Sequence, residues 1–156
     1  MIVRPADDAA LAHALSWASA AGERGEVPIG AVVVSPSGEV IGAGCNERET
    51  AHDPTGHAEI VALRAAGAAL GSWRLTGCTL AVTLEPCTMC AGALVLSRVS
   101  RVVFGAWDPA YGAAGSLRDV LRDTRLNHNP EVIGGVRSAE CQALLDAFFA
   151  ARRQPS

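Results

Sequence analysis

The sequence predicts an α/β protein, a three-layer α/β/α sandwich around a mixed five-stranded sheet. Three observations predict it. Short β-branched runs alternate with stretches of helical periodicity in the second half of the chain. Two such runs flank a tight turn near the start. Amphipathic helical stretches stand at both ends. With 156 residues and 49% hydrophobic content, the chain is long enough for one compact domain with a real core and too short for two.

The first helix starts at Pro5-Ala6-Asp7-Asp8, an acidic cap before Leu11, Ala14, Leu15 and Ala18 at helical spacing, and Gly22 and Gly25 end it. Ile29 to Val34 reads as a buried strand. Ser35-Pro36-Ser37-Gly38 is a turn, and Glu39 to Cys45 returns as the second arm of a hairpin. Asn46 to Pro54 is polar loop. A helix begins near Thr55 to His57, with Ile60, Leu63 and Leu70 along one side. Thr79 to Leu84 is a strand. Pro86 suits a helical first turn, and Cys87 to Ser97 continues it. Arg101 to Ala106 is a further strand, Trp107 to Ser116 an exposed loop, Leu117 to Arg122 a short helix, and Glu131 to Ile133 a last strand. Cys141, Leu144, Leu145, Phe148 and Phe149 follow the i, i+3, i+4, i+7, i+8 rule of a C-terminal helix.

No apolar run is long enough to span a membrane, and acids follow Met1-Ile2-Val3 where a signal peptide would stay apolar. A cytoplasmic protein is expected. Of five cysteines, Cys45, Cys78 and Cys141 sit among apolar neighbours and read as buried thiols of a reducing compartment. The net charge of −3 does not advertise a nucleic-acid binder. Yet all 13 basic residues are arginine, and Arg98, Arg101, Arg118, Arg122, Arg125, Arg152 and Arg153 lie in the C-terminal half. They form either a basic face or an ordinary solvated surface.

Chemistry concentrates in two segments, His57-Ala58-Glu59 and Pro86-Cys87-Thr88-Met89-Cys90. The first offers a nitrogen donor and a carboxylate; the second offers two thiolates three residues apart, on one face of a helix. One His and two Cys suit Zn²⁺ and leave its fourth position for water, as in catalytic rather than structural sites. A lone C-x-x-C would also fit a redox pair or half a structural site, but no second C-x-x-C completes a four-cysteine set. The pattern H-x-E…P-C-x-x-C is the signature of zinc deaminases, in which a carboxylate that is not a ligand moves protons. Glu59 takes that role: it accepts a proton from the attacking water, delivers it to the ring nitrogen and protonates the leaving ammonia.

Several longer segments resemble the bacterial tRNA-specific adenosine deaminases of the cytidine/deoxycytidylate deaminase superfamily. They are Glu26-Val27-Pro28-Ile29-Gly30-Ala31-Val32, His52 to Ile60, Val82 to Gly92, Val103-Phe104-Gly105-Ala106, Gly112 to Leu117 and Phe148-Phe149. The zinc segments alone fit cytosine, guanine or deoxycytidylate deaminases equally. The loop from Phe104 to Leu117, with Phe148-Phe149 ahead of Arg152-Arg153, narrows the choice. The resemblance implies a cytidine-deaminase-like fold spanning 1–156 as a single zinc-dependent domain. It implies one Zn²⁺ held by His57, Cys87 and Cys90, and a homodimer. The reaction it implies is hydrolytic deamination, at C6, of the wobble adenosine in the anticodon stem-loop of an arginine tRNA. It further implies substrate contacts from Asn46, Asp108, Phe149, Pro28 and Leu84, to which the chain's own Trp107 is added. Without the resemblance, the residues alone read Asn46 as a loop cap, and they offer a turn role for Asp108 before Pro109 and a core role for Phe149.

Two departures from the family stand out. Gly56 replaces the usual alanine, which is expected to loosen the following helix start. Trp107-Asp108-Pro109-Ala110-Tyr111 carries aromatics where relatives tend to be basic, and the family's longer basic tail has no counterpart before Pro155-Ser156. Trp107 and Tyr111 are then expected either to stack on bases or to pack within the protein or a dimer, and grip on RNA to rest on shape more than on phosphate charge. A small-molecule deaminase acting on free guanine or cytosine is the competing enzyme. A non-catalytic zinc-stabilised RNA-binding module is the competing non-enzyme, disfavoured by the free carboxylate of Glu59.

Overall fold

A computed structural model of the chain describes residues 2–153, so Pro155 and Ser156 lie outside the described residues. The elements run α1 (Pro5–Glu23), β1 (Gly30–Val34), β2 (Val40–Cys45), α2 (Ala58–Leu70), β3 (Thr79–Leu84), α3 (Thr88–Leu96), β4 (Arg101–Ala106), β5 (Glu131–Ile133) and α4 (Ser138–Arg152). The strands form one five-stranded sheet in the order β2-β1-β3-β4-β5. β1 is antiparallel to β2 and β3, whereas β3, β4 and β5 run parallel. The sheet is mixed and α/β, as its sequence pattern requires.

Alternation along the strands divides the core in two. Ala31, Val33, Leu80, Val82, Val102 and Phe104 face the layer of α2 and α3. Val32, Ala81 and Val103 face the layer of α1 and α4. Both faces of the central strands are covered, which is why β1, β3 and β4 read as continuous apolar runs.

The packed side of α2 differs from the sequence expectation. Its buried residues are Ala58, Glu59, Ala62 and Ala66; Ile60 and Leu63 are half-buried and Leu70 is exposed. Close approach of backbones is the reason. A Cβ at Gly42 of β2 would overlap Ala62 O and Ala66 N, and one at Gly44 would overlap Val61. The helix therefore lies on a glycine strand through alanines, and its larger apolar residues turn toward α3 and the surface.

The expected helix at Leu117–Arg122 is absent. Leu117 N and Arg118 N both donate to Gly112 O, and Ala114 pairs with Asp119 in an isolated bridge. Leu117 is exposed, and only the adjacent Val120 and Leu121 reach the core, so the segment has no i, i+3, i+4 stripe that a helix would bury. The preceding loop is not exposed throughout, because Gly112, Ala113 and Ala114 are buried between its exposed ends. In α4 the buried stripe narrows to Cys141 and Leu145, while Phe149 stays 44% exposed and is not a core residue.

Arg101 is a correction to the basic-face reading. It is buried in β4, where its guanidinium bonds Asp7 at 2.6 Å and Glu131 at 2.7 Å. Asp7 also accepts the Arg4 backbone N–H at 2.7 Å, so the residue that caps α1 also ties that helix to the sheet. Burial alone would raise the Asp7 carboxyl, but the hydrogen bonds from Arg101 and Arg4 outweigh it and hold it below its ordinary value. The unfolded chain thus binds this proton more readily than the folded one. The resulting stability is complete above about pH 4, the ordinary carboxylate value, and is lost as pH falls through the folded value. Asp7→Asn is expected to lower stability by about 3 kcal/mol in denaturant unfolding at pH 7, because it leaves a buried cation short of its partner. The gap to the wild type should shrink as the solution is acidified below about pH 4; an unchanged gap would remove Asp7 from the acid response.

Candidate active site

Two helices begin at one point. His57 is the N-cap of α2 and Cys87 the N-cap of α3, both in extended backbone, with Cys90 inside the first turn of α3. Gly56 precedes the helix rather than lying in it, so its weak helix propensity does not loosen α2. It is buried where a Cβ would crowd Asp53 O at 3.1 Å and Arg48 N at 3.3 Å.

His57 Nδ1 lies 3.6 Å from Cys87 Sγ and 3.4 Å from Cys90 Sγ. A tetrahedral zinc with Zn–S near 2.3 Å and Zn–N near 2.05 Å requires an N···S separation of about 3.6 Å. The donor set fits the ion. Among the described residues these three form the one cluster of three potential metal donors, with all donor atoms within 4.8 Å of one another.

Protonation in the cluster is shared. A hydrogen bond from Cys90, and then His57, hold the Cys87 thiol down to about 4. The hydrogen bond to Cys87, together with burial, pushes Cys90 up, and the bond with Cys87 raises His57. A divalent cation replaces these shared protons, since thiolate and neutral imidazole are the ligand forms. Positive helix N-termini favour the same forms.

Glu59, two residues along α2, is buried and faces the same cleft. Burial pushes its carboxyl up to about 7, the range suited to a group that both takes and gives a proton at neutral pH. It has the acid–base properties that its place in the motif demands.

The cleft encloses about 690 Å³. Its floor carries His57, Glu59 and Cys87; Val27, Ile29, Asn46 and Arg48 form one side, Leu84 and Trp107 to Tyr111 another, and Gln142, Leu145 and Phe149 of α4 a third. Asn46 is nearly buried, and its Oδ1 accepts the Arg48 N–H at 3.2 Å, so it caps the loop and lines the cleft together. Asp108 Oδ1 accepts the N–H groups of Ala110 and Tyr111 at 3.1 and 3.2 Å, the turn geometry that its position before Pro109 implies. Trp107 packs edge-on against Phe104, with ring centroids 4.8 Å apart, and is still 47% exposed. Pro28 is buried and does not line the cleft; its neighbours Val27 and Ile29 do.

Sequence reasoning missed two buried acids. Glu26 accepts backbone N–H groups of Glu49 at 3.3 Å and Thr50 at 2.8 Å, fixing the loop that leads to His57. Glu85 accepts backbone N–H groups of Asp108, Ala114 and Ser116, each at 3.0 Å, and the Ser116 hydroxyl. Their signal was a charge placed directly against an apolar strand or turn, Glu26 before Val27-Pro28-Ile29 and Glu85 after Leu84. Arg48 and Gln142 also line the cleft and carried no distinguishing pattern.

Fold and donor set together define a zinc-binding deaminase. Residues 5–106 match the zinc-binding region of cytidine and deoxycytidylate deaminases. The chain is 52% identical over 143 residues to the tRNA-specific adenosine deaminase of Bacillus subtilis, covering 92% of this chain and 88% of that one. It is 46% identical to the enzyme of the same name from Haemophilus influenzae, over 95% and 86%. The chain belongs to the tRNA-specific adenosine deaminase family. A solved tRNA:A34 deaminase, from work on A-to-I editing at the wobble position, superposes with a TM-score of 0.84 at 44% identity, over 88% of this chain and 99% of that one. A guanine deaminase from Nitrosomonas europaea superposes at 0.82 with 25% identity, over 96% and 87%. A tRNA(Ile)-lysidine synthase of Deinococcus deserti is 47% identical over 99% of this chain, which spans only 29% of that longer protein.

Glu59→Gln keeps the side chain's shape and removes its proton chemistry. It is expected to lower kcat by roughly 10²–10⁴ while zinc content by atomic absorption stays at one per chain. Near-normal turnover in that variant would strip Glu59 of its role.

Proposed function

We infer that residues 1–156 constitute one deaminase domain that converts the wobble adenosine of a tRNA anticodon, in an arginine tRNA, to inosine. The observation that carries this reading is the rim of the cleft. Trp107 and Tyr111 are 47% and 71% exposed beside the metal donors, and Phe149 is 44% exposed on the opposite wall. Exposed aromatic faces suit splayed, unpaired bases of an anticodon loop, which stack at roughly 1–3 kcal/mol each. A pocket for a free base has no use for them. The half of Trp107 that packs on Phe104 fixes the ring; the exposed half is free to stack. Arg48 is the one arginine in the cleft, so binding rests on shape and stacking with little phosphate neutralisation there.

His57, Cys87 and Cys90 would hold the ion. Bound zinc supplies a Lewis acid that brings the pKa of water from 15.7 to about 7. Glu59 removes a proton from the attacking water as oxygen bonds to C6. It passes that proton to N1 of the purine, then carries the second proton to the departing amine, so that adenosine and water become inosine and ammonia. Asn46 and Leu84, which line the cleft, would orient the base, and Asp108 would meet the sugar–phosphate backbone.

The enzyme acts as a homodimer, in the cytoplasm with its substrate. Support comes from an apolar groove of about 720 Å³ between α2 and α3, lined by Ile60, Leu63, Trp73 and Leu96. Trp73 is 62% and Leu96 69% exposed there, on the side that α2 does not turn to the sheet. A monomer mass by light scattering would overturn the dimer. No helix of the described residues is long and apolar enough to cross a membrane.

The direct test is incubation with an in vitro transcribed arginine tRNA bearing an ACG anticodon, and in parallel with free guanine, cytosine and cytidine. Inosine in the tRNA and no ammonia from the free compounds is expected. Ammonia from a free base with unmodified tRNA would instead assign a small-molecule deaminase. In the same assay Trp107→Ala is expected to raise KM about tenfold, the loss of one stacked base.

A further inference from the structure

Glu85 is the most heavily hydrogen-bonded acid in the fold, and the proton chemistry of the reaction makes no use of it. It leaves β3 just before Pro86-Cys87, is 2% exposed, and accepts four hydrogen bonds. Three come from backbone N–H groups and one from the Ser116 hydroxyl, and all four donors belong to the segment after β4. Oε1 holds Asp108 N and Ser116 Oγ; Oε2 holds Ala114 N and Ser116 N. The carboxylate thus bridges both ends of the loop whose tip is Trp107 to Tyr111.

The loop's own geometry is built around that group. Gly112 lies against the carboxylate so closely that a Cβ there would overlap all three of its atoms. Gly112 also pairs with Cys87 in an isolated antiparallel bridge, and Ala113 N donates to Pro86 O at 2.8 Å. The Glu85 N–H donates to Ala106 O at 2.8 Å. One residue therefore connects the ligand-bearing turn to the cleft wall by main chain and by side chain. A carboxylate is the only side chain of this length with two acceptor oxygens and no donor, and three of the four groups that meet it are backbone N–H groups, which can only donate.

We propose that Glu85 is a positioning residue for the polynucleotide substrate: its buried carboxylate fixes the Trp107–Tyr111 wall over the metal donors and so sets substrate affinity separately from the chemical step. The inference rests on the tRNA reading above and deepens it. Trp107 and Tyr111 hold splayed bases only if their backbone is fixed before binding, because ordering a loop at the moment of binding subtracts from affinity. Glu85 stands at the edge of the cleft with both carboxylate oxygens engaged by the loop, and supplies that order from beneath.

The test compares the wild type with Glu85→Gln, Gly112→Ala and Ser116→Ala, all zinc-loaded. The substrate is a synthetic anticodon stem-loop with adenosine at the wobble position. Glu85→Gln turns an amide N–H₂ toward backbone N–H groups and is expected to raise KM about tenfold or more, with kcat within about threefold of the wild type. Gly112→Ala displaces the carboxylate and should reproduce that split. Ser116→Ala removes one donor of four, should fold in any case, and should raise KM by about two- to threefold. Hydrogen exchange without RNA should accelerate at the amides of Asp108, Ala114 and Ser116 in Glu85→Gln and Gly112→Ala. A merely structural role would lower the folded fraction and leave KM and these amides unchanged in the molecules that fold. Unchanged KM with unchanged exchange overturns the proposal, and so does a fall in kcat at constant KM. If Glu85→Gln does not fold, the other two variants decide on the same criteria. A wild type inert on the stem-loop overturns the tRNA reading instead; the exchange measurement, which needs no substrate, then decides separately whether Glu85 orders the wall.

Discussion

The convergence of two helix N-termini on one point is the constraint from which the rest of the molecule follows. His57 and Cys87 are the N-caps of α2 and α3, and their donor atoms must stand about 3.6 Å apart for one tetrahedral ion to be shared. The fold seats α2 deep on the sheet through small residues, Ala62 and Ala66 on the helix against Gly42 and Gly44 on β2, which brings its N-terminus down to the level of α3's. The 49% hydrophobic content is accordingly rich in alanine rather than in aromatic residues, which are only 4% of the chain. Bulk is displaced to the outer side of the pair, where Ile60, Leu63, Trp73 and Leu96 line the apolar groove.

The same convergence sets the electrostatics. Two N-termini bring unpaired backbone N–H groups and partial positive charge to a site that must hold thiolates. Two thiolates and a neutral imidazole balance a divalent ion, so the centre adds no net charge to a low-dielectric floor. Glu59 is buried in the same floor, and that burial is what raises its carboxyl. A full positive charge beside it would hold the carboxyl ionised and spoil it as a donor of the second proton. The neutrality of the donor set and the usefulness of the acid are one design feature.

Much of this was legible in the residues. The periodic runs of β1, β3, β4 and α4 fixed those elements because burial on both faces, or on one stripe, leaves an unmistakable pattern. His57, Glu59, Cys87 and Cys90 were legible because metal chemistry restricts donor types and spacing. What failed was whatever depended on packing partners. Ile60 and Leu63 read as the core side of α2, but Gly42 and Gly44 select the alanines; glycines in a strand carry no periodic signal toward a helix far along the chain. Leu117 to Arg122 read as a helix, but backbone bonds to Gly112 close it into turns. Arg101 counted as surface charge, because nothing local in its strand announces Asp7 on α1. Phe149 fitted the helical stripe that would bury it, and its exposure is set by where α4 crosses the sheet.

The guanine deaminase comparison shows how framework and specificity separate. At 25% identity the backbone still superposes at a TM-score of 0.82, so the sheet, the two converging helices and their packing tolerate wide replacement. Choice of substrate must then reside in what surrounds the donors, namely the loop after β2, the loop after β4 and the end of α4. Two of those three are held by buried acids that are not part of the metal centre: Glu26 grips the loop leading to His57, and Glu85 grips the loop after β4. Both accept backbone N–H groups, and Glu85 accepts the Ser116 hydroxyl besides. That form of anchorage is indifferent to the side chains displayed at the tip. The wall carries aromatics in this chain while its backbone is fixed to the Glu85 carboxylate. A loop whose course is set by main-chain bonds to a buried acid is free to vary its outward residues, and that freedom lets one rigid catalytic floor serve different substrates.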